Sequence, residues 1–295
     1  MRRLSHLPVE LGGSADVASR PIEISSTEAT LSLERPLERP GHPRISVVVP
    51  ALNEAANLRE VLPTLPAVHE VILVDGGSVD GTVETARDLL PEVITVTQVR
   101  RGKGNALAAG FAKVSGDVVV MFDADGSADP AEIPRFVDAL VEGADFAKGS
   151  RFRAGGGSAD ITPVRRLGNR FLHTWMNVSF RTRFTDLCYG YNAFWADLIP
   201  LLDLPDHELV TPGGAAMLWG DGFEIETLIN CRFAGAGLTI TEVASVERER
   251  LHGHSNLHAV SDGLRVLRTL RTERARVRRH TALDQALLDQ SPTVD

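Results

Sequence analysis

Val118-Val119-Val120-Met121-Phe122-Asp123-Ala124-Asp125 decides how this chain folds. Five apolar residues in a row read as a strand buried on both faces, the pattern of a parallel sheet covered by helices. The two aspartates that close it stand two residues apart, so an extended backbone sends both carboxylates to one side. Folding alone gives little reason for that pair. Aspartates after a strand commonly cap the next helix. Here Asp129-Pro130 already supplies an N-cap followed by proline at the first helical position, ahead of Ile133, Val137 and Leu140. Asp123 and Asp125 are left to hold a hard divalent cation, Mg²⁺ or Mn²⁺, which takes oxygen ligands and commonly shares them with a substrate's phosphates. A bare D-x-D arises often by chance, so its setting in the chain decides its meaning.

Upstream, apolar strands at 45–49, 70–74 and 93–99 alternate with helical stretches at 54–62, 81–90 and 105–114, and the quoted strand spans 117–122. Such alternation predicts an α/β fold with a mostly parallel central sheet and helices on both faces. After Gly149 the alternation lapses. Residues 163–182 read as a helix, 189–195 as a strand, 205–222 as a Gly- and Pro-containing loop long enough to be a lid, 223–233 as a helix and 238–246 as a strand. Residues 1–42 are rich in Pro, Ser, Glu and Arg without a period, and are expected to be a poorly ordered extension. The main domain is then 43–260, followed at 261–295 by a basic helix and a polar tail. No internal repeat is visible.

The 295 residues, 43% of them hydrophobic, suffice for one substantial core. A net charge of −8 and a pI near 5.6 argue against nucleic acid as a partner. Cys188 and Cys231 make no disulfide framework or metal spacing, which fits a reducing cytoplasm. No run approaches the roughly 20 apolar residues of a membrane span. Arginine far outnumbers lysine, which occurs only at 103, 113 and 148, a composition suited to a high-GC bacterial source. The helical stretch 257–279 carries seven arginines and one acid, Glu273, between Gly263 and His280, with Leu264, Leu267 and Leu270 on one side. It is read as a basic amphipathic helix that draws the protein to an anionic membrane, at the inner face of the cell membrane.

Ligands of open parallel sheets bind beyond the carboxyl ends of the strands. In this chain those ends read Pro50-Ala51-Leu52-Asn53-Glu54, Asp75-Gly76-Gly77-Ser78, Arg101-Gly102-Lys103-Gly104-Asn105 and Asp123-Ala124-Asp125. The ordered set resembles the family 2 glycosyltransferases of GT-A (Rossmann-like) fold over residues 44–260. Within them it is most similar to dolichyl- and polyprenyl-phosphate mannose synthases and their bacterial relatives. The resemblance implies a nucleoside-diphosphate sugar held by Pro50, Ala51, Asn53, Glu54, Asp75, Gly76, Ser78, Lys103, Asp123 and Ala124. It implies a metal on Asp123 and Asp125, and helices on the acceptor side toward the C-terminus.

Lys148-Gly149-Ser150-Arg151-Phe152 resembles the Gly-Ser-Arg-Tyr element of polyprenyl-phosphate transferases, and Arg165 and Asn169 fall where the family contacts the acceptor phosphate. Ser150, Arg151, Arg165 and Asn169 are therefore the expected acceptor-phosphate group, arginine forks being suited to phosphate oxygens. Arg250-Leu251-His252-Gly253-His254-Ser255-Asn256-Leu257 resembles the loop that closes over the diphosphate. Asn256 and Ser127 depart from the usual lysine and glutamine, and Thr185-Asp186-Leu187-Cys188-Tyr189-Gly190 replaces the usual Asp-Pro-Thr-Ser-Gly.

The implied reaction is metal-dependent, inverting transfer of a hexose from a GDP-mannose or UDP-glucose type donor to polyprenyl phosphate. Asp125 and Arg250 act on the leaving diphosphate, and an ionised acceptor needs no base. An alternative is transfer to a hydroxyl of a soluble metabolite, for which Asp221 or Glu224 is the base; Glu226 reads as structural. Two rivals stand outside transfer: a non-catalytic nucleotide-sugar binder, and a haloacid-dehalogenase phosphatase suggested by Asp123-Ala124-Asp125-Gly126-Ser127. The latter motif belongs on a first strand, whereas three strands precede it here.

Overall fold

The computed structural model describes residues 39–159, 161–210, 216–253 and 259–290, with side chains of the last stretch described for 263–279. The expected disorder of 1–42 thus falls outside the described residues for 1–38, as do the polar tail at 291–295 and positions 254–257 of the diphosphate loop.

Strand β1 (Ile45–Ala51) forms the axis of the sheet, with Val47, Val48 and Val49 fully buried. It pairs in parallel with β2 (Glu70–Asp75) on one side and β4 (Val118–Met121) on the other, and β3 (Ile94–Thr97) lies beyond β2. The register sets Ala51 against Asp75 and Val48 against Met121, so the turns after these strands emerge on one rim. Between them run α1 (Ala55–Val61), α2 (Thr82–Leu89) and α3 (Lys103–Phe111). Helix α3 lies directly on the sheet because Gly110 has no side chain: a Cβ there would stand 2.4 Å from Val48 Cγ1. After β4, Asp129 caps the next turn by accepting from the Ala131 amide at 3.0 Å, and α4 (Ile133–Val141) follows.

The sheet order is β3-β2-β1-β4-β7-β5-β8. Its second half is built from β5 (Phe146–Ser150), β7 (Asn192–Trp195) and β8 (Ile240–Ala244), of which β7 alone runs antiparallel to its neighbours. A separate pair joins β6 (Gly157–Ser158) to β9 (Val246–Glu247). Helices α5 (Pro163–Phe180), α6 (Ile225–Gly235) and α7 (Ala259–Gln290) complete the chain. They share a smaller core of Leu172, Met176, Cys231, Val266 and Leu270.

Three features differ from, or add to, the sequence reading. Strand β5 was hidden in the sequence by Lys148 and Gly149; Lys148 is fully buried, and its ammonium donates to the carbonyls of Gly149 at 2.8 Å and Tyr189 at 2.9 Å. Burial lowers its pKa. The described parts of 205–222 are fastened rather than open as a lid. Arg100 donates to the Asp206 carbonyl at 2.7 Å and the Leu209 carbonyl at 2.6 Å, and clasps Asp221. Finally, of the three leucines expected along one side of α7, Leu270 is buried against α5 and α6 and Leu267 partly so, whereas Leu264 is 63% exposed.

Candidate active site on the carboxyl rim of the sheet

The turns after β1 and β2 are laced together. Asn53 sits in the left-handed region at φ 57°, donates its amide to Ser78 Oγ at 2.8 Å and accepts from the Val79 amide at 2.9 Å. The Gly76 amide reaches the Ala51 carbonyl at 2.8 Å. Asp75 accepts from the amides of Gly77 at 3.0 Å and Ser78 at 3.2 Å, which holds its carboxylate at the strand end. The Glu54 amide donates to Thr82 Oγ1 at 2.9 Å. Pro50, Ala51, Asn53, Glu54, Asp75, Gly76 and Ser78 therefore form one connected wall.

Beside that wall stand the two aspartates, each facing a cation. Lys103 Nζ lies 2.7 Å from Asp123 Oδ1 and 2.8 Å from Glu226 Oε1. Arg250 reaches Asp125 Oδ2 at 3.3 Å and also pairs with Glu54. Asp125 Oδ1 further accepts from the Ser127 amide at 3.0 Å and hydroxyl at 2.7 Å. The loop that carries Arg250 is tied down where the Leu251 amide meets the Asp125 carbonyl at 3.1 Å. Asn57 exchanges hydrogen bonds with the His252 backbone at 2.8 and 3.2 Å. Burial presses against the Lys103 charge, yet Asp123 and Glu226 outweigh it and hold the ammonium above the ordinary lysine range. Burial pushes the Glu226 carboxyl up, against the pull of Lys103.

The charges do not balance. Four carboxylates, Glu54, Asp123, Asp125 and Glu226, meet two cations, Lys103 and Arg250. The formal excess of two negative charges equals what one divalent cation supplies. The Asp123 and Asp125 side chains are the most open of the four, 35% and 23% exposed. Among the described residues no group of three His, Cys, Asp or Glu forms a metal cage. Two carboxylate ligands with the remaining positions left to phosphate and water is a normal arrangement for Mg²⁺, so the donor set fits.

Two residues of this cluster were not assigned to it from sequence. Glu226, read as structural, lies against Lys103 in the first turn of α6. Gly190 approaches so closely that a Cβ would stand 2.8 Å from Lys103 Nζ, 3.0 Å from Glu226 Oε1 and 3.3 Å from Asp123 Oδ2. Its signal in the sequence was only the departure of the 185–190 segment from the family pattern.

The glycosyl transferase family 2 profile matches residues 46–199. This chain belongs to that family. It is a glycosyltransferase of GT-A fold. It is 31% identical over 227 residues to the polyprenol monophosphomannose synthase of Mycolicibacterium smegmatis, covering 72% of this chain and 81% of the relative. The undecaprenyl-phosphate mannosyltransferase of Micrococcus luteus is 31% identical over 70% of this chain and 85% of its own length. Among solved structures, glucosyl-3-phosphoglycerate synthase of Mycobacterium tuberculosis, in complex with Mg²⁺ and uridine diphosphate, superposes with a TM-score of 0.58. That comparison covers 79% of this chain and 80% of the other, at 26% identity.

Other residues expected in the glycosyltransferase site lie elsewhere or are already engaged. The Arg151 guanidinium is buried, joined to Asp186 at 2.6 and 2.9 Å and to Glu247 at 3.1 Å. Its charge is consumed inside the protein, which corrects its assignment to an acceptor phosphate. Ser150 is fully buried against Thr185 Oγ1 at 2.6 Å, and buried Asn169 accepts from the Leu187 amide at 3.1 Å. Both shape the 185–190 segment instead of meeting a ligand. Arg165, in the first turn of α5, is partly exposed. Asp221 is clasped by Arg100 at 2.7 and 3.0 Å and accepts from the Leu218 amide at 2.7 Å, which corrects its role as a base. Glu224 is buried; its Oε1 accepts from the amides of Gly220 and Gly222 at 3.2 and 3.4 Å, while Oε2 has no hydrogen-bond partner among the described residues and lies 4.0 Å from Arg265.

Proposed function

We propose that this enzyme transfers a hexose, with inversion, from a nucleoside-diphosphate sugar to a polyprenyl phosphate. The observation that carries the donor half is the rim cluster, whose excess negative charge asks for a divalent cation. Relatives named for polyprenyl and undecaprenyl phosphate support the acceptor half. Asp123 and Asp125 would hold Mg²⁺ or Mn²⁺, which when bound neutralises charge on the diphosphate. Lys103 and Arg250, held against the aspartates, add fixed positive charge where the leaving group becomes more negative. The wall from Pro50 to Ser78, with Ala124, receives the nucleotide, and Asp75 is pre-set as an acceptor by its own turn amides. An acceptor phosphate is ionised near neutral pH and needs no base. Arg165 remains our candidate to orient it.

One observation favours a second reading, transfer to a hydroxyl. Glu226 is a buried carboxylate with a raised pKa beside Asp123, the environment that suits a general base. In that case Glu226 takes the role given to Asp221 and stands beside Glu224 as a candidate base.

The test is nucleoside diphosphate release from a panel of donors with Mn²⁺ or Mg²⁺, with polyprenyl phosphate present or absent, and the product anomer read by NMR. Metal-dependent release that requires the lipid phosphate, with inverted configuration, is expected. Release that ignores the lipid but requires a hydroxylated phosphate ester selects the second reading. Donors left intact in every combination refute both.

A further inference from the structure

Away from the rim, a cleft of about 580 Å³ runs between α5 and α7, lined by Trp175, Val178 and Ser179 on one side and Arg271, Arg274 and Arg278 on the other. Both of its walls extend beyond it. On α5, Val164, Leu167, Phe171, Trp175 and Val178 recur at spacings of three and four, which puts them along one ridge of the helix. Val164, Leu167, Phe171 and Val178 are 77%, 70%, 57% and 79% exposed. The buried residues of the same helix, Asn169, Leu172 and Met176, occupy a different face. A helix with a buried stripe needs no second apolar stripe for folding, and a contiguous exposed one marks a contact surface.

The opposite wall is cationic. Arg271, Arg274 and Arg278 follow one another at three and four residues on α7. Arg271 stacks on Trp175 at 5.4 Å, and Arg274 lies over Phe180 at 5.9 Å. None of these three forms an ion pair with a carboxylate among the described residues. Arg276 and Arg232, by contrast, are matched to Asp203 and Glu273. In a chain of net charge −8, arginines with no carboxylate partner among the described residues, gathered beside an apolar ridge, are a local reversal of sign.

The geometry points to this paired ridge as a docking face for an anionic phospholipid bilayer, with the α5 apolar residues entering the acyl boundary and the α7 arginines meeting the headgroups. Charge complementarity selects this partner. A second copy placed symmetrically would set the arginine ridges near one another, and an apolar peptide would leave them unmatched. The anchoring element is thus the pair α5–α7 rather than the basic helix alone, whose Val266 and Leu270 are already used inside. No described helix is long and apolar enough to cross a membrane, so contact here is interfacial. The inference rests on the prenyl-phosphate reading, since that acceptor's tail resides in a bilayer.

The test is flotation of the full chain with phosphatidylglycerol-containing or pure phosphatidylcholine vesicles. The parent protein is expected to float with the former and to be released by high salt. Arg271→Ala/Arg274→Ala/Arg278→Ala and Phe171→Ser/Val178→Ser should each lower binding more than tenfold, since each surface arginine contributes roughly fivefold and each apolar side chain taken out of water roughly tenfold. Their unfolding temperatures and their transfer to a short, water-soluble prenyl phosphate should match the parent, while transfer to vesicle-embedded polyprenyl phosphate falls with binding. Variants that float like the parent, a parent that ignores vesicles, or a dimer in sedimentation that these variants dissociate would each overturn the proposal. A parent that floats as expected yet uses prenyl phosphate of neither length overturns the functional reading and leaves the surface standing.

Discussion

Arg250 and Arg151 each sit between two carboxylates, and the two clusters part ways in exposure and in how fully the guanidinium is enclosed. Arg151 is 4% exposed, and its partners Asp186 and Glu247 are 0% and 12% exposed. Every nitrogen of that guanidinium is spent on them. Arg250 is 21% exposed and lies 3.3 Å from Asp125, itself 23% exposed, in a cluster that carries two carboxylates in excess. A closed set of charges holds the chain together. An open set with two carboxylates in excess has room for a ligand that brings the missing charge.

The hardest test of this contrast is Arg151→Ala. It removes the guanidinium that joins buried Asp186 and Glu247, and chemical denaturation should show a loss of about 3–5 kcal/mol. The deficit should also depend on pH. Burial opposes the Asp186 charge, but Arg151 outweighs it and holds the carboxyl below its ordinary 3.8. In the parent the pair's stabilisation is present above that pH and lost as pH falls through the lower folded value. In Arg151→Ala burial is opposed only by the Lys148 charge and the residue-151 amide, so Asp186 takes a proton at a higher pH than in the parent. The gap between variant and parent should be widest near neutrality and narrow toward pH 4. A gap that widens on acidification would break the assignment.

Next comes Asp125→Ala, which removes an open carboxylate. Metal-dependent nucleoside diphosphate release should fall about 10²–10³-fold, while denaturation midpoints stay close to the parent's. A large loss of stability would mean the rim is as structural as the Arg151 cluster. The smallest effect is expected from Gly190→Ala. The new methyl group would press on the ends of Lys103, Glu226 and Asp123, all flexible side chains that can yield. Folding should be nearly untouched, and release should slow about tenfold to a hundredfold from displacement of the cluster. Unchanged kinetics would show that the Lys103 bridge is not held in place by that backbone.

The same contrast explains what the sequence could tell. Strands β1 to β4 were readable because each is a short apolar run, and the aspartates, Asn53-Glu54 and Asp75 were readable because each sits in the turn that ends its own strand. Strand β5 was not, because a buried lysine satisfied by two carbonyls looks like surface when only composition is seen. Arg151 was taken for a ligand because its partners stand 35 and 96 residues away. Asp221 was misread in the same way, its arginine lying 121 residues before it. Glu226 and Gly190 reach Lys103 only after β7 has reversed direction and α6 has packed, a convergence with no local spacing to betray it.

That reversal also sets an order of assembly. Both sheet partners of β5, β7 and β8, come later in the chain, so Phe146–Ser150 emerges from the ribosome with no strand to pair with. The half that carries Asn53, Asp75, Lys103, Asp123 and Asp125 can close beforehand, since β1 to β4 pair among themselves. Glu226 and Arg250 join last. During synthesis the two aspartates therefore exist for a time with Lys103 as their sole partner from the cluster, and the finished charge pattern of the rim becomes a record that the second half of the protein has arrived.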